Sequence, residues 1–343
     1  MRVGVFIGET TGEQTSVDRL AANARDAESR GLATGWVPHI PWSLDALTAL
    51  AIAARETSTI ELGTAVVPTF PRHPLSLAQD ALSVQAVAAG RLALGIGPSH
   101  PVVVEGMYGL SYDAPAAHTE EYVEVLRACF TASGRVDWDG ARFRVHAPLD
   151  VPGATAIPVL VAALAPRMLE LTGRLADGTI TYWADERAIA EHVVPRITTA
   201  ASAAGRPPPR VVAGVPVAVT HDVAGARERA GRMFAAYLNI PTYQRILGRG
   251  ATGSPVDVAI IGDETHVHER LRRFADAGAT DLCASVLGLD GDREASRSEH
   301  STCSRPIRGE GRGGGVAHAA RVSSVHGPSV ASRPSHRGRP RHR

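Results

Sequence analysis

Arg91 to Gly109 reads "RLALGIGPSHPVVVEGMYG", an apolar run from Leu92 to Ile96 that enters Gly95-x-Gly97. A dinucleotide-binding turn would need a third glycine at position 100 for close helix packing, and an acidic residue about 20 residues further on, at the end of the next strand. Position 100 is His, Pro98 and Pro101 block a helix from starting directly after the turn, and no strand ending in an acid follows at that distance. The glycines therefore end a strand and hold no phosphate, which removes the main support for a doubly wound nucleotide-binding sheet. Ser99, His100 and Glu105 are left on the loop above that strand end.

Working outward, the same kind of run recurs at 2–8, 34–37, 60–67, 91–97, 157–163, 178–183, 210–219 and 281–288. These are continuous Val/Ile/Leu-rich runs and do not alternate with polar residues, as expected of parallel strands covered on both faces. Helix-like segments lie between them at 15–30, 44–56, 74–89, 117–131, 166–175, 185–204, 222–237 and 263–277, and Ser16, Ser43, Asp222 and Asp263 are residues of the type that accept the free amides of a first turn. Eight such units predict a (β/α)₈ TIM barrel with insertions, of the α/β class, with its site on the loops that follow the strands. The excess length falls at 134–150, where "GRVDWDGARFRVH" predicts a hairpin around Asp139-Gly140, and at 238–260, a Gly/Pro/Thr-rich loop; both are expected on the βα side.

Composition separates the chain into two parts. The 343 residues carry a net charge of +1, but residues 298–343 hold nine Arg against Glu299 and Glu310, so the remainder is acidic. One barrel domain is expected over 1–290 and a basic, disordered tail over 291–343, because the tail has no aromatic residue and is dominated by Arg, Gly, Ser, Pro and His. Clustered Arg can neutralise phosphates. The favoured alternative is translation of a shifted frame, since "DREASRSEH" begins like a last barrel helix and then loses its pattern; no nucleic-acid partner is expected. With no lysine in the chain, a P-loop lysine and a lysine Schiff base are excluded. Cys129, Cys283 and Cys303 form no paired motif, and "THVHE" puts His266 and His268 on different helix faces, so no metal is expected. No run is long enough to span a membrane, and "MRVGVFIGET" is too short and glycine-broken for a secretory signal, so a cytoplasmic location is expected.

Three strand ends carry candidate chemistry. "GWVPHIPW" puts His39 and Trp42 at the predicted mouth, where an imidazole can relay a proton, although a single histidine also serves structurally. His100 and Glu105 have the same standing: catalytic groups above a strand, or a solvated pair beside a glycine-relieved strand end. "LVAALAPRMLELTGRLADG" starts a helix at Pro166 beside Arg167, a plausible phosphate seat that an ordinary amphipathic helix would also resemble.

The order of "AESRGLATGWVPHIPWSLDALTALA", "IELGTAVVPTFPRHPLSLAQDALSVQAVAAGRLALGIGPSH", "APRMLELTGRLADGTITYW" and "VAIIGDETHVHERLRRFADAGATDL" resembles the luciferase-like monooxygenase superfamily, in its branch dependent on the deazaflavin coenzyme F420. The likeness runs from residue 1 to about 295. It implies a coenzyme lying across the barrel mouth, with a bulge at Ala65-Val66, a non-prolyl cis peptide in several relatives, behind the ring. It also implies that Ala163, Leu164, Ala165, Pro166 and Arg167 hold the phosphate and that Gly97 and Thr181 touch the coenzyme. Many relatives carry Gly at position 165 and another polar residue at position 39. The implied reaction is hydride transfer between C5 of the deazaflavin and a small organic substrate, with His39, His100 or Glu105 handling one proton, in a homodimer without membrane contact. FMN with monooxygenase chemistry, and a coenzyme-binding barrel without turnover, are the alternatives.

Overall fold

The computed structural model describes residues 1–9, 15–131 and 134–288. Among the described residues twelve strands are formed: β1 (Arg2–Phe6), β2 (Thr34–Val37), β3 (Glu61–Thr64), β4 (Val67–Pro68), β5 (Leu92–Gly97), β6 (Gly134–Asp139), β7 (Arg144–Leu149), β8 (Val159–Ala162), β9 (Gly178–Tyr182), β10 (Arg210–Val219), β11 (Ile260–Gly262) and β12 (Asp281–Val286). The helices are α1 (Val17–Ser29), α2 (Ala46–Glu56), α3 (Pro74–Val87), α4 (Pro101–Val104), α5 (Pro115–Thr131), α6 (Pro166–Leu175), α7 (Glu186–Ala188), α8 (Val194–Ala203), α9 (Val223–Phe234), α10 (Pro241–Leu247), α11 (Pro255–Val258) and α12 (Glu264–Asp276).

Strands β1, β2, β3, β5, β8, β9, β10 and β12 pair in that order, and β12 pairs back onto β1, closing an eight-stranded barrel. Every pairing around the ring is parallel, with Gly4 opposite Thr34 on one side and Cys283 on the other. All eight predicted strands are present, and the (β/α)₈ expectation holds.

Side chains alternate between lumen and helix layer. At the bottom, Arg210 donates to Asp281 at 2.7 Å and to Glu61 at 2.8 Å, while Arg2 reaches the same two acids at 3.4 and 3.2 Å. These four charges come from the first residues of β1, β3, β10 and β12, so the barrel is plugged by a neutralised ionic cluster. Above it Trp36, Leu160, Ile180, Val212 and Cys283 form an inner core, on which Phe6, Ala65 and Val66 pack. The outward residues of the same strands, such as Leu62, Leu94, Val161 and Val217, belong to the outer core beneath the helices. Burial on both faces is why these strands read as unbroken apolar runs.

Four expectations need correction. The run 60–67 breaks after Thr64, whose Oγ1 donates to the Gly95 carbonyl at 2.7 Å and accepts the Gly95 N–H at 2.8 Å; pairing with β5 resumes at β4. The hairpin β6–β7 follows helix α5 and not a strand, and its turn reaches back to Glu121, which accepts the N–H groups of Arg142 and Phe143. The stretch 238–260 is not an open loop: after the expected helix α9, a 3₁₀ turn at Ala235–Asn239, α10 and α11 form the insertion, and β11 then adds to the upper end of β10 through Val217↔Ile260. At one helix start the cap is Asp45 and not Ser43, while Ser16, Asp222 and Asp263 cap as expected. The predicted last helix and the tail from 291 lie outside the described residues.

Candidate active site at the barrel mouth

The upper end of the lumen is floored by small and apolar groups. Ala65 N–H is held by the Val37 carbonyl at 2.9 Å, and the Ala65-Val66 peptide bond is cis, as the resemblance implied. A Cβ at Gly97 would sit 2.9 Å from the Ala162 Cβ and 3.0 Å from a Val66 methyl, so glycine lets β5 close against Ala162 and the Ala65-Val66 turn as a small-residue platform. Thr69 ties the platform to β5 through its N–H and the Gly97 carbonyl at 2.9 Å. Its hydroxyl lies 3.1 Å from Nε2 of His118 on α5, whose ring stacks on Phe70 at 4.0 Å. Burial, reinforced by Arg142, pushes the His118 pKa down to about 4, so this imidazole is a neutral brace.

His39 sits beside the platform, with only 10% of its side chain exposed. The Ala46 N–H points at Nδ1 at 3.5 Å, Asp45 lies 3.5 Å from the same atom, and Arg72 binds that carboxylate. Nδ1 thus faces an amide donor and a carboxylate acceptor at the same distance. Burial and then the Arg72 charge lower its pKa, against the weaker pull of Asp45.

His100 caps the short helix α4 without a side-chain cap bond, and burial lowers its pKa. Its ring meets Tyr243 of α10 edge to face at 5.1 Å. Tyr243 lies 5.6 Å from Tyr237 and 6.4 Å from Tyr182, the last residue of β9. The strand pattern did not single out this aromatic wall, although "TITYW" ends a predicted strand and both other tyrosines lie in or next to the predicted insertion.

Helix α6 begins at Pro166 with Ala165 at the N-cap, and no side chain caps it. The preceding turn is fixed from behind: His192 donates from Nε2 to the Leu164 carbonyl at 2.7 Å, and Thr179 lies 3.4 Å from the Ala163 carbonyl. Arg167 is exposed at the helix start. An uncapped helix N-terminus with free amides is suited to an anion.

Two predicted residues do not join this group through their side chains. Thr181 lies between the lumen-facing Ile180 and Tyr182, and its hydroxyl donates to the Val212 carbonyl at 3.3 Å on the opposite face of the sheet. Glu105 is exposed and accepts the Tyr112 N–H at 3.4 Å within its own loop. Among the described residues no cluster of His, Cys, Asp and Glu is arranged to hold a metal, and no helix is long and apolar enough to cross a membrane.

The family model described as luciferase-like monooxygenase matches residues 1–281. The chain belongs to the luciferase-like monooxygenase family. Among its relatives, 5,10-methylenetetrahydromethanopterin reductase of Methanolobus tindarius is 29% identical over 56% of this chain and 58% of the relative. The chain thus spans under two thirds of that reductase, whereas it matches 86% of the F420-dependent glucose-6-phosphate dehydrogenase of Kineococcus radiotolerans, at 26% identity over 82% of its own length. The luciferase-like barrel is also seen in the solved structure of an F420-dependent secondary alcohol dehydrogenase in complex with an F420-acetone adduct, with a TM-score of 0.71 at 20% identity, covering 83% of this chain and 92% of that one. An FMN complex of the oxygenating constituent of 3,6-diketocamphane monooxygenase from Pseudomonas putida has a TM-score of 0.67 at 17% identity, covering 86% and 94%. These two likenesses concern the fold.

Proposed function

We propose that this luciferase-like protein is a coenzyme F420-dependent oxidoreductase acting on a small organic substrate. The observation that carries the reading is the small-residue platform of Ala65, Val66, Gly97 and Ala162, set at the same mouth as the uncapped start of α6. A small-residue apolar surface at the same mouth as an anion seat suits a planar ring that bears a phosphate, and the names of several relatives specify F420.

In this reading Ala65 and Val66 back the ring, Gly97 keeps its approach open, and the backbone around Ala163, Leu164, Ala165 and Pro166 holds the phosphate with Arg167 beside it. When bound, the deazaflavin supplies a carbon that gives or takes a hydride. The chain's own task is orientation and proton handling. His39, whose pKa is lowered by burial, presents an imidazole at the ring edge that can exchange a hydrogen bond or a proton there. His100, likewise kept neutral by burial, and the Tyr182, Tyr237 and Tyr243 phenols exclude water from the opposite side. Glu105 stands outside this ring of groups.

Titration of the full chain with oxidised F420 and, separately, with FMN tests the proposal. A saturable change in the F420 absorbance band with no response to FMN is expected. Binding of FMN alone would replace the reading with a flavin enzyme, and binding of neither would end it.

A further inference from the structure

The turn that begins α6 is braced by a residue that no motif marked. The stretch 185–204, expected as one helix, is interrupted: after α7 the turn Ile189–Val193 is wound as a π-helix, and the Val194 N–H bonds to the Ile189 carbonyl, five residues back. Such single wide turns are rare and often position a functional side chain. This one lies against α6, because α8 follows it directly and packs so closely that a Cβ at Gly173 would sit 2.4 Å from the Ile197 carbonyl.

The side chain it positions is His192, 2% exposed. Its Nε2 lies 2.7 Å from the Leu164 carbonyl, and since a carbonyl only accepts, Nε2 carries the proton. Burial lowers the pKa, with Arg249 and Arg196 adding to it against the pull of the Leu164 bond, so the ring is neutral. Nδ1 is then a bare acceptor, buried and without a partner among the described residues. Leaving it so costs stability, and an apolar side chain would avoid that cost. The bond to Leu164 is what an imidazole does here that a leucine could not.

That bond acts on the far side of one peptide group. The Leu164–Ala165 peptide is trans, so its carbonyl and its N–H point in opposite directions. With the carbonyl turned back to His192, the Ala165 N–H is turned away from it at the uncapped start of α6, and it has no partner among the described residues. A donor on the carbonyl also polarises the peptide and strengthens that N–H as a donor to an anion.

We propose that His192 is a positioning residue for anion binding: it aims and polarises the Ala165 amide toward the phosphate of the coenzyme. The role rests on the coenzyme reading for the identity of the anion, but the aiming itself can be read without coenzyme.

Absorbance titrations of the full chain compare F420 with Fo, the same deazaflavin ring and ribityl chain ending before the phosphate. His192→Leu is expected to weaken F420 at least about tenfold and Fo by less than about twofold, whereas His192→Gln, whose amide can donate to the same carbonyl, recovers most of the loss. Equal losses for both ligands would reduce His192 to packing, and an unchanged F420 affinity in His192→Leu, or no recovery by Gln, would overturn the proposal as well. If the parent chain binds no F420, the coenzyme reading fails and inorganic phosphate decides the inference: it should shift the Ala165 amide resonance of the parent in a saturable way, and not that of His192→Leu. The same response in both, or none in either, overturns it. Should His192→Leu not fold, the imidazole nitrogen shifts of the parent still test the premise, since a proton on Nδ1 in place of Nε2 would remove the aiming bond and the proposal with it.

Discussion

The Trp36 ring occupies the space that a side chain at Gly63 would need: a Cβ built there would lie 2.3 Å from Cζ3 of the indole. The two residues are opposite each other in the β2–β3 register, and Trp36 is the largest group of the inner core. Gly63→Ala must therefore displace a fully buried ring, and overpacking of this kind costs about 1–3 kcal/mol. Urea unfolding should place the variant in that range, with Trp36→Phe in the same chain recovering part of the loss through coupling of the two sites. Additive losses would show that the contact is not the cause.

The ionic plug predicts an asymmetric response. Asp281 is 1% exposed and receives Arg210 at 2.7 Å, Arg2 at 3.4 Å and the Thr280 hydroxyl at 2.7 Å. Arg210→Ala strands a buried carboxylate with weaker partners and is expected to cost about 3 kcal/mol. Removing both charges with Arg210→Met and Asp281→Leu should cost less than the single change. Thermal melts of the two variants check the order, and a double variant less stable than Arg210→Ala would refute it.

How much of this was legible depends on whether the cause was local. The barrel strands could be read because burial on both faces writes itself into each run. The break after Thr64 could not, since it is made by a hydroxyl bonding to Gly95 on another strand. Likewise α10 and α11 hid behind Gly and Pro residues that start and end short helices as readily as they make loops. At the site, His39 and His100 were placed correctly on their loops by strand-end position alone. Thr181 was paired with the wrong face; the period of two puts Ile180 and Tyr182 in the lumen and Thr181 outside. Tyr237 and Tyr243 join the wall only through the packing of Trp183, which no spacing encodes.

Acid should weaken the fold through His118. Its folded pKa is about 4 against an ordinary value of 6.5. Above pH 6.5 the ring is neutral in both states and the group contributes no pH dependence. Between 6.5 and 4 the unfolded chain takes up a proton that the folded one refuses, so stability falls as pH falls, by an amount on the order of 3 kcal/mol across the window. His118→Phe should flatten that part of the stability profile while costing about 1 kcal/mol at pH 7, because the buried Thr69 hydroxyl loses its partner. An NMR titration midpoint for His118 near 6.5 would contradict the assignment.

Ala165→Asp separates helix stability from coenzyme binding at one position. Ala165 is the N-cap of α6 and makes no side-chain bond to the first turn. An Asp there can accept an amide of that turn and complement the helix dipole, worth about 1 kcal/mol of added stability. The same carboxylate would occupy and negatively charge the seat assigned to the coenzyme phosphate. The expected result is a higher melting temperature together with an F420 affinity lowered at least about tenfold, the two effects moving in opposite directions. Asn at the same position caps without the charge and should give the stability gain with a smaller loss of affinity. If Ala165→Asp bound F420 as tightly as the parent, the phosphate would lie elsewhere and the α6 assignment would fall, leaving the Ala65-Val66 platform to be tested by itself.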